Sequence, residues 1–272
     1  MKAKVIGAMV AALLAMVSTQ ASGTIYDAAK DLTQDSITAG TNPNGVWSYG
    51  YRNTVASTDF THLSINGPFP DGVITRYGGN GLQGWYGDLM LPGLPFIMKN
   101  MTVAPVYFGD YREVIFSPGQ LGFHPSSEGS EYAVLRWTAP SSATADLDVT
   151  FDSFRITGSL DYYYATTDVH VVKNGYSLFD ADLTFNSNTK TYSVDGLKVI
   201  QGDTIDIIVG SADNGSTFDT TAVSAVITVP DSAAVPEPAS VVCGIIGLGM
   251  IGGYVKKRRS LFAGVGRAGD AS

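Results

Sequence analysis

The chain has 272 residues, of which 44% are hydrophobic, 15% are charged and 31 are Gly. That apolar content excludes a disordered chain, and so much Gly argues against a helical bundle. The formal net charge of −8 argues against binding to nucleic-acid backbones, and a single Cys leaves no partner for an internal disulfide. The length suits one large all-β domain or two small ones.

The N-terminal segment 1–21 has the pattern of a secretory signal peptide. Two cations, an unbroken apolar run of 13 residues and two small residues follow one another: Lys2, Lys4, Val5–Val17, Thr19 and Ala21. Thirteen apolar residues are too few to span a bilayer comfortably, which favours a cleaved leader over a membrane anchor. We expect cleavage after Ala21, although Gly23 would also serve. A buried N-terminal helix is the alternative interpretation.

Residues 22–234, called the body below, are acidic and predict strands. They hold 10 Lys plus Arg against 23 Asp plus Glu, a net charge of −13, and only Glu113, Glu128 and Glu131 are Glu. Because Asp favours turns whereas Glu favours helices, this choice indicates loops between strands. The only helix that the pattern suggests is a short one around Asp27 to Leu32.

Residues 41–125 are broken by Gly and Pro into short extended pieces. We interpret them as strands and loops of the same sandwich, and a separate small N-terminal domain is the alternative. Trp85 and Tyr86 stand among Gly81, Gly84 and Gly87. The glycines predict a loop with exposed rings, a candidate platform for stacking on sugars.

Period-2 alternation predicts strands in the second half of the body. The clearest segments are Tyr132–Thr138, Leu147–Phe151, Thr204–Val209 and Ala222–Val229. Asn174-Gly175 separates two further segments, Val169–Lys173 and Tyr176–Phe179, and this dipeptide is the signal of a type I′ hairpin. The recurrence of strands predicts an all-β fold, a β-sandwich of jelly-roll type that spans residues 22–230.

The sequence contains candidate binding residues, but we assign no catalytic group. Tyr162 and Tyr163 lie between two predicted strands, so at least one ring should reach solvent and stack on a sugar. Three pairs of carboxylates have the spacing that a glycoside hydrolase could use, or are the solvent faces of strands: Glu128 with Glu131, Asp146 with Asp148, and Asp180 with Asp182.

One loop is rich in oxygen ligands. Asp213, Asn214 and Asp219 could hold a structural Ca²⁺, and a solvated hairpin turn is the alternative. The three histidines, His62, His124 and His170, have no metal-ligand spacing. We therefore interpret His170 as an ordinary strand residue and expect no cofactor other than calcium.

The C-terminus predicts a membrane helix over residues 239–255. This segment is apolar except for Ser240, and four cations follow it: Lys256, Lys257, Arg258 and Arg259. Cations at one end of an apolar helix place that end in the cytoplasm, so residues 256–272 form a cytoplasmic tail and the body lies outside. Residues 231–238 are the linker before the helix.

Within that linker stands Pro236-Glu237-Pro238. The order of this motif, a Gly-rich apolar helix and a basic cluster resembles the PEP-CTERM sorting signal, also described as an ice-binding protein C-terminal domain. The resemblance implies sorting by a membrane-embedded exosortase that removes the tail, and an association with exopolysaccharide. Its physical logic is that the prolines keep the cleavage region extended.

The body resembles the β-sandwich of exported PEP-CTERM proteins from planctomycetes and similar bacteria. The segments that carry the resemblance are Phe123-His124-Pro125, Ala133–Pro140, Val169–Phe179 and Gly202–Ile205. Those sandwiches look like carbohydrate-binding or galactose-binding-like modules. We therefore expect a non-catalytic structural or carbohydrate-binding protein of the cell envelope or extracellular matrix, transiently anchored in the inner membrane. An extracellular glycan-active hydrolase of sandwich fold is the alternative.

Overall fold

A computed structural model describes residues 23–87, 95–109, 114–126, 131–154, 166–184, 188–212, 215–216 and 219–230. These residues belong to one compact unit, Ser22–Pro230. The predicted signal peptide, linker, membrane helix, basic tail and PEP motif lie outside the described residues, as do Glu128, Tyr162, Tyr163, Asp213 and Asn214. Among the described residues, no helix is both long and apolar enough to cross a membrane.

The described body is built almost entirely from strands. In chain order they are β1 (Thr24–Asp27), β2 (Trp47–Arg52), β3 (Thr61–His62), β4 (Ile65–Pro68), β5 (Leu82–Tyr86), β6 (Phe96–Asn100), β7 (Val106–Phe108), β8 (Val114–Phe116), β9 (Leu121–His124), β10 (Tyr132–Thr138), β11 (Ala143–Ser153), β12 (Thr167–Lys173), β13 (Tyr176–Leu183), β14 (Thr189–Val199), β15 (Thr204–Val209) and β16 (Thr221–Val229). The described helices are short: α1 (Ala28–Asp31), α2 (Gln34–Ala39) and α3 (Asp71–Tyr77).

Two large antiparallel sheets and the two-stranded sheet β7-β8 form the described body. The eight-stranded sheet has the order β14-β11-β16-β9-β6-β5-β4, with β1 paired to β16. The six-stranded sheet has the order β13-β12-β15-β10-β2-β3. Strands from residues 41–125 lie in both sheets beside strands from the second half, and β7 and β8 pair with each other in a separate two-stranded sheet.

The main core lies between the inner faces of the two sheets. Alternate residues of each strand point into it, as in β11, where Leu147, Val149 and Phe151 are buried while Asp148 is exposed. Its largest fully buried side chains include Trp47, Trp137 and other aromatic rings. Burial of one such side chain stabilises the fold by about 1.5–3 kcal/mol, so this core holds the two sheets together.

A second, smaller core covers the other face of the eight-stranded sheet along β5, β6 and β9. Phe69, Phe96 and Phe116 are buried there, and Val73 and Ile74 of α3 pack against them. The hairpin of β7 and β8 contributes Val106 and Val114 to the same cluster. The outer face of β11 carries no such cover among the described residues, because its Asp and Thr side chains alternate with the core residues and are at least partly exposed.

Two short helices, α1 and α2, follow β1, and α1 is the helix that the sequence predicts. Asp27 caps α1 by accepting from the N–H groups of Ala29 and Lys30, both at 3.1 Å. Thr33 begins α2 with a capping box. Each cap satisfies backbone donors that a helix leaves unpaired at its N-terminus. The prediction around Asp27 to Leu32 is confirmed as α1, whereas the sequence pattern does not predict α2 or α3.

The Asn174-Gly175 hairpin is confirmed, with both residues at positive φ (51° and 83°). It joins β12 and β13, and these strands pair in a register that shifts between Val171 and Val172. Leu178 is the extra residue of this β-bulge, since Val172 faces Ser177 while Val171 faces Phe179. A bulge moves all following side chains to the opposite face, and it places Asp180 opposite His170.

The prediction of Trp85 and Tyr86 as exposed loop residues is wrong. Both lie in β5 and are only 2% and 5% exposed. Trp85 points into the main core, and Tyr86 packs in the second core with its hydroxyl donating to the carbonyl of Pro68 at 3.1 Å. Neither ring can therefore serve as a sugar platform.

Candidate functional site on the outer face of the six-stranded sheet

The outer face of the six-stranded sheet carries most of the buried charge in the described part of the chain. Its inner face is apolar, and the residues that alternate with those core positions point outward. The outward residues of four neighbouring strands are Asp168, His170 and Val172 of β12, Asp206 and Ile208 of β15, Tyr132, Val134 and Arg136 of β10, and Ser48, Gly50 and Arg52 of β2. Charged groups at such positions need partners, and two clusters supply them.

The first, which we call the histidine cluster, comprises Asp168, His170, Ser177 and Asp180. The Nδ1 of His170 lies 2.6 Å from Oδ1 of Asp180, and its Nε2 lies 2.8 Å from Oδ2 of Asp168. The Ser177 hydroxyl donates to the other oxygen of Asp180. Ionised carboxylates only accept hydrogen bonds, so both contacts are satisfied together when both ring nitrogens donate, which is the imidazolium form.

The electrostatics of the cluster agree with this geometry. Burial opposes the charge of His170, but hydrogen bonds and charge from Asp168 and Asp180 outweigh it and raise the pKa of the ring. Burial likewise opposes the charges of the two carboxylates, and the hydrogen bonds that they accept lower their pKa values. While the ring is protonated, the cluster carries two negative charges and one positive charge.

Asp168 is the fixed end of the cluster. Its Oδ1 accepts from the N–H of Ala212 at 2.7 Å, and its carbonyl accepts from the N–H of Gly210 at 2.8 Å. A Cβ on Gly210 would lie 2.3 Å from both Oδ1 of Asp168 and a ring carbon of Tyr132. Only glycine fits between these two groups, so the backbone of residues 210–212 holds the carboxylate in place.

The second, which we call the arginine cluster, comprises Arg52, Arg136 and Asp206. Arg136 donates to both oxygens of Asp206, from Nε at 2.7 Å and from Nη2 at 3.0 Å. Arg52 donates to Asp206 through Nη2 and to the carbonyl of Val55 at 3.0 Å. The Arg52 and Asp206 side chains are 0% and 1% exposed, whereas Arg136 is 17% exposed. One carboxylate therefore neutralises only one of the two guanidinium charges.

Residues 53–60 cross over the arginine cluster. Val55 and Phe60 pack on Val134, Val172 and Ile208, the apolar residues of the outer face. The Phe60 ring also lies 4.3 Å from the Arg136 guanidinium carbon, in a cation–π contact. This cover excludes water from Arg52 and makes the arginine cluster a structural element of the face.

The hairpin end of β13 stays open. Tyr176 is 78% exposed and the Asp180 side chain is 57% exposed. The turn beside them is held firmly, because Asp203 accepts from Lys173 at 2.8 Å and from the Asn174 amide at 2.9 Å. These hydrogen bonds lower the pKa of Asp203 to about 2. After this firmly held turn, Ser177 and Asp180 lie on the outer side of edge strand β13, and the exposed Tyr176 ring lies on its other side.

Asp180 and Asp182 share the outer face of β13, and Asp146 and Asp148 share the outer face of β11, so these two predicted carboxylate pairs lie on different sheets. Asp146 and Asp148 lie on the outer face of the eight-stranded sheet, where they accept from the N–H of Gly196 at 2.8 Å and from the Ser193 hydroxyl at 2.6 Å. Glu131 precedes β10 in the other sheet. The interpretation of Asp146 and Asp148 as part of the solvent face of an amphipathic strand is confirmed.

Asp219, a candidate calcium ligand, is fully buried, so the alternative of a solvated turn is wrong for this residue. Its Oδ1 accepts from the N–H of Thr166 at 3.2 Å and from the Thr167 hydroxyl at 3.4 Å. Its Oδ2 has no hydrogen-bond partner within the described part of the chain. Burial raises the pKa of Asp219 to about 8, so the carboxyl is protonated at neutral pH without a cation.

A cation beside Asp219 would supply the missing partner of Oδ2, and calcium at this position stays a prediction. The other predicted ligands, Asp213 and Asn214, lie outside the described residues. No three His, Cys, Asp or Glu side chains are arranged to hold a metal ion in the part of the chain that the structure describes.

Sequence reasoning missed both clusters. The sequence pattern places Asp180 and Asp182 on one strand face and predicts His170 to be an ordinary strand residue. The Asn-Gly turn predicts that β12 pairs with β13, but a regular two-residue hairpin would place Phe179, not Asp180, opposite His170. Only the bulge at Leu178 brings Asp180 there. The arginine cluster joins residues 154 positions apart and left no local signal.

No family model matches the chain, and no curated protein matches it. Among solved structures, it is similar to CBM51-2 and INT domains from Clostridium perfringens ZmpB in complex with GlcNAc, at 17% identity over 43% of this chain and 22% of that chain, with a TM-score of 0.31. It is similar to CBM51 from Clostridium perfringens GH95 in complex with methyl-galactose, at 12% identity over 40% of this chain and 68% of that chain, with a TM-score of 0.28.

A third similar structure is TmCBM61 in complex with beta-1,4-galactotriose, at 10% identity over 50% of this chain and 82% of that chain, with a TM-score of 0.31. The chain spans about a fifth of the ZmpB structure. TM-scores this low establish neither a shared fold nor a shared ligand. The all-β architecture of this chain follows from its own strand pairing.

Proposed function

We propose that the protein is a non-catalytic, exported glycan-binding β-sandwich and that edge strand β13 contacts the glycan. The observation that carries the proposal is the placement of the exposed Tyr176 ring on the same edge strand as Ser177 and Asp180. Aromatic rings stack on the apolar faces of sugars, while a carboxylate accepts from two hydroxyls and a serine can donate or accept. These are the group types that sugar recognition needs.

The spacing of these groups favours an oligosaccharide over a single sugar. Tyr176 pairs with Lys173 and Asp180 pairs with His170, and the bulge at Leu178 between them places the two side chains on opposite sides of edge strand β13. A glycan that contacts both must therefore extend around the edge of the sheet. The firmly held turn favours binding because little conformational freedom is lost when the ligand is engaged. The net charge of −13 on the body disfavours strongly anionic glycans through long-range repulsion.

A glycan array tests the binding proposal. We expect the full-length chain to bind neutral oligosaccharides and the Tyr176→Ala variant to lose at least about tenfold in affinity, which is the usual scale of one aromatic contact. Tyr107 is also exposed but lies on β7, so Tyr107→Ala is the matched control and should bind normally. Equal losses in both variants, or release of new reducing ends from the bound glycan, would contradict the proposal.

Export and sorting belong to the same proposal but depend on segments at the two termini. The signal peptide directs export, and the PEP motif with its apolar helix and cations is the substrate of an exosortase-type membrane enzyme. Cell fractionation of a chain that lacks residues 231–272 tests this part. We expect the truncated chain to be exported but no longer retained at the envelope. Unchanged retention would overturn the sorting proposal and leave the glycan-binding proposal to its own test.

A further inference from the structure

The His170 ring bridges β12 and β13 directly across the bulge. One ring nitrogen contacts Asp168 on its own strand, and the other contacts Asp180 on the edge strand. The side chains differ in exposure: Asp168 is 14% exposed, His170 is 11% exposed and Asp180 is 57% exposed. The ring therefore links an edge residue that solvent reaches to a carboxylate that the backbone holds.

The two contacts require two N–H groups, which only the charged ring has. When the ring loses one proton, a nitrogen lone pair faces a carboxylate oxygen at 2.6 or 2.8 Å, and that contact becomes repulsive. Asp168 keeps its bond from Ala212 and cannot turn away. Within the described part of the chain, Asp180 then keeps the Ser177 hydroxyl as its one partner and can move into solvent. Loss of the proton should therefore release Asp180 and leave Asp168 in place.

The other groups that face the ring do not replace this link. Tyr132 of β10 packs edge-on against it at 6.0 Å between ring centroids. Ile208 of β15 pairs with His170, and Gly210 follows the end of that strand; neither carries a charge. Asp182 on β13 is a further exposed carboxylate. The Asp206 charge, one row along the face, is already paired with two arginines.

We propose that His170 is a pH-dependent lock on edge strand β13, which holds the Asp180 carboxylate in binding position while the ring is charged and frees the strand when the ring is neutral. This inference rests on the proposed function for its consequence, namely that glycan affinity falls as the pH rises. Its structural content stands without any ligand. His170 acts here as a positioning residue because it reaches the glycan only through Asp180.

Nuclear magnetic resonance and hydrogen exchange on the full-length chain in mild detergent test the lock itself. We expect both ring nitrogens of His170 to be protonated at pH 6. Protection of the β13 amides, corrected for intrinsic exchange and compared with β15, should fall by about tenfold between pH 6 and pH 9, the scale of one charged hydrogen bond. His170→Gln should show the low value at both pH values, and His62→Gln, an exposed histidine on β3, should behave like wild type.

Two results would overturn the lock: equal β13 protection in wild type at pH 6 and pH 9, or the same pH profile in His170→Gln as in wild type. The binding arm uses the tightest neutral oligosaccharide from the array. If β13 loosens with pH while Tyr176→Ala binds normally, the proposed binding strand is wrong and the lock stands. If Tyr176→Ala abolishes binding but the hydrogen-exchange protection of the β13 amides does not change with pH, the proposed role of His170 is wrong and the proposed function stands.

Discussion

Replacing Asp206 by Asn tests whether the arginine cluster stabilises the six-stranded sheet. The substitution keeps the size of the side chain but leaves Arg52 and Arg136 facing a neutral amide. Arg136 is 17% exposed and can turn toward water, whereas Arg52 is 0% exposed and lies under residues 53–60. Loss of one partner of a buried ion pair leaves an uncompensated charge and costs about 3–5 kcal/mol. We expect this loss in the free energy of unfolding of Asp206→Asn.

Urea denaturation of the full-length chain, followed by tryptophan fluorescence, measures the change. Arg136→Gln is the control, because Asp206 keeps Arg52 and only a partly exposed contact is lost, for which we expect about 1–2 kcal/mol. The double variant gives the coupling energy between the two residues. If Asp206→Asn lies within about 1 kcal/mol of wild type, Arg52 reaches water and the buried cluster is described wrongly.

Three further outcomes follow from the same contacts. The pKa of His170 is raised in the folded state, so wild type should be more stable than His170→Gln below about pH 6.5. This difference in stability should vanish as the pH rises through the folded pKa. A difference in urea midpoint that stays constant with pH would contradict this prediction. The pKa of Asp219 is raised to about 8, so in the presence of a chelator Asp219→Asn should be more stable than wild type by a larger margin at pH 7 than at pH 4. Added CaCl2 should stabilise wild type and not the variant if calcium binds there. Gly210→Ala should lose about 1–3 kcal/mol because its Cβ overlaps Asp168, whereas Gly72→Ala in α3, with no atom within 4 Å of the new methyl, should gain a few tenths to about 1 kcal/mol in thermal denaturation.

The strands of the second half could be predicted because each buries one face. In Tyr132–Thr138 the apolar residues alternate with outward side chains, and the structure begins and ends β10 at the same residues. The Asn174-Gly175 turn was equally readable, since its positive φ values are those that a type I′ turn needs. Local rules suffice wherever the backbone period and the burial pattern coincide.

The failure at Trp85 and Tyr86 has a physical reason. Gly84 indicated a loop, but it lies inside β5 because β6 approaches so closely that a Cβ would stand 2.1 Å from the carbonyl oxygen of Ile97. A glycine required by close approach looks the same in a sequence as a glycine required by a turn. The neighbouring rings therefore read as loop residues although both are core residues.

The charged face could not be predicted for a different reason. The link between His170 and Asp180 depends on one extra residue in β13, and a single-residue shift of register decides which face a side chain occupies. The contact between Arg52 and Asp206 joins the first and last thirds of the body. Tertiary packing sets both features, and local patterns carry no record of them.

Chemical-shift mapping of the bound glycan tests the central claim most directly. The tightest neutral oligosaccharide from the array is titrated into the isotope-labelled full-length chain at pH 6, and amide shifts are followed residue by residue. The account predicts that the largest shifts fall on residues 174–182, around the exposed Tyr176 and Asp180. Shifts concentrated on the eight-stranded sheet or on the β7–β8 hairpin, with 174–182 unchanged, would show that the glycan binds elsewhere and would contradict the assignment of β13.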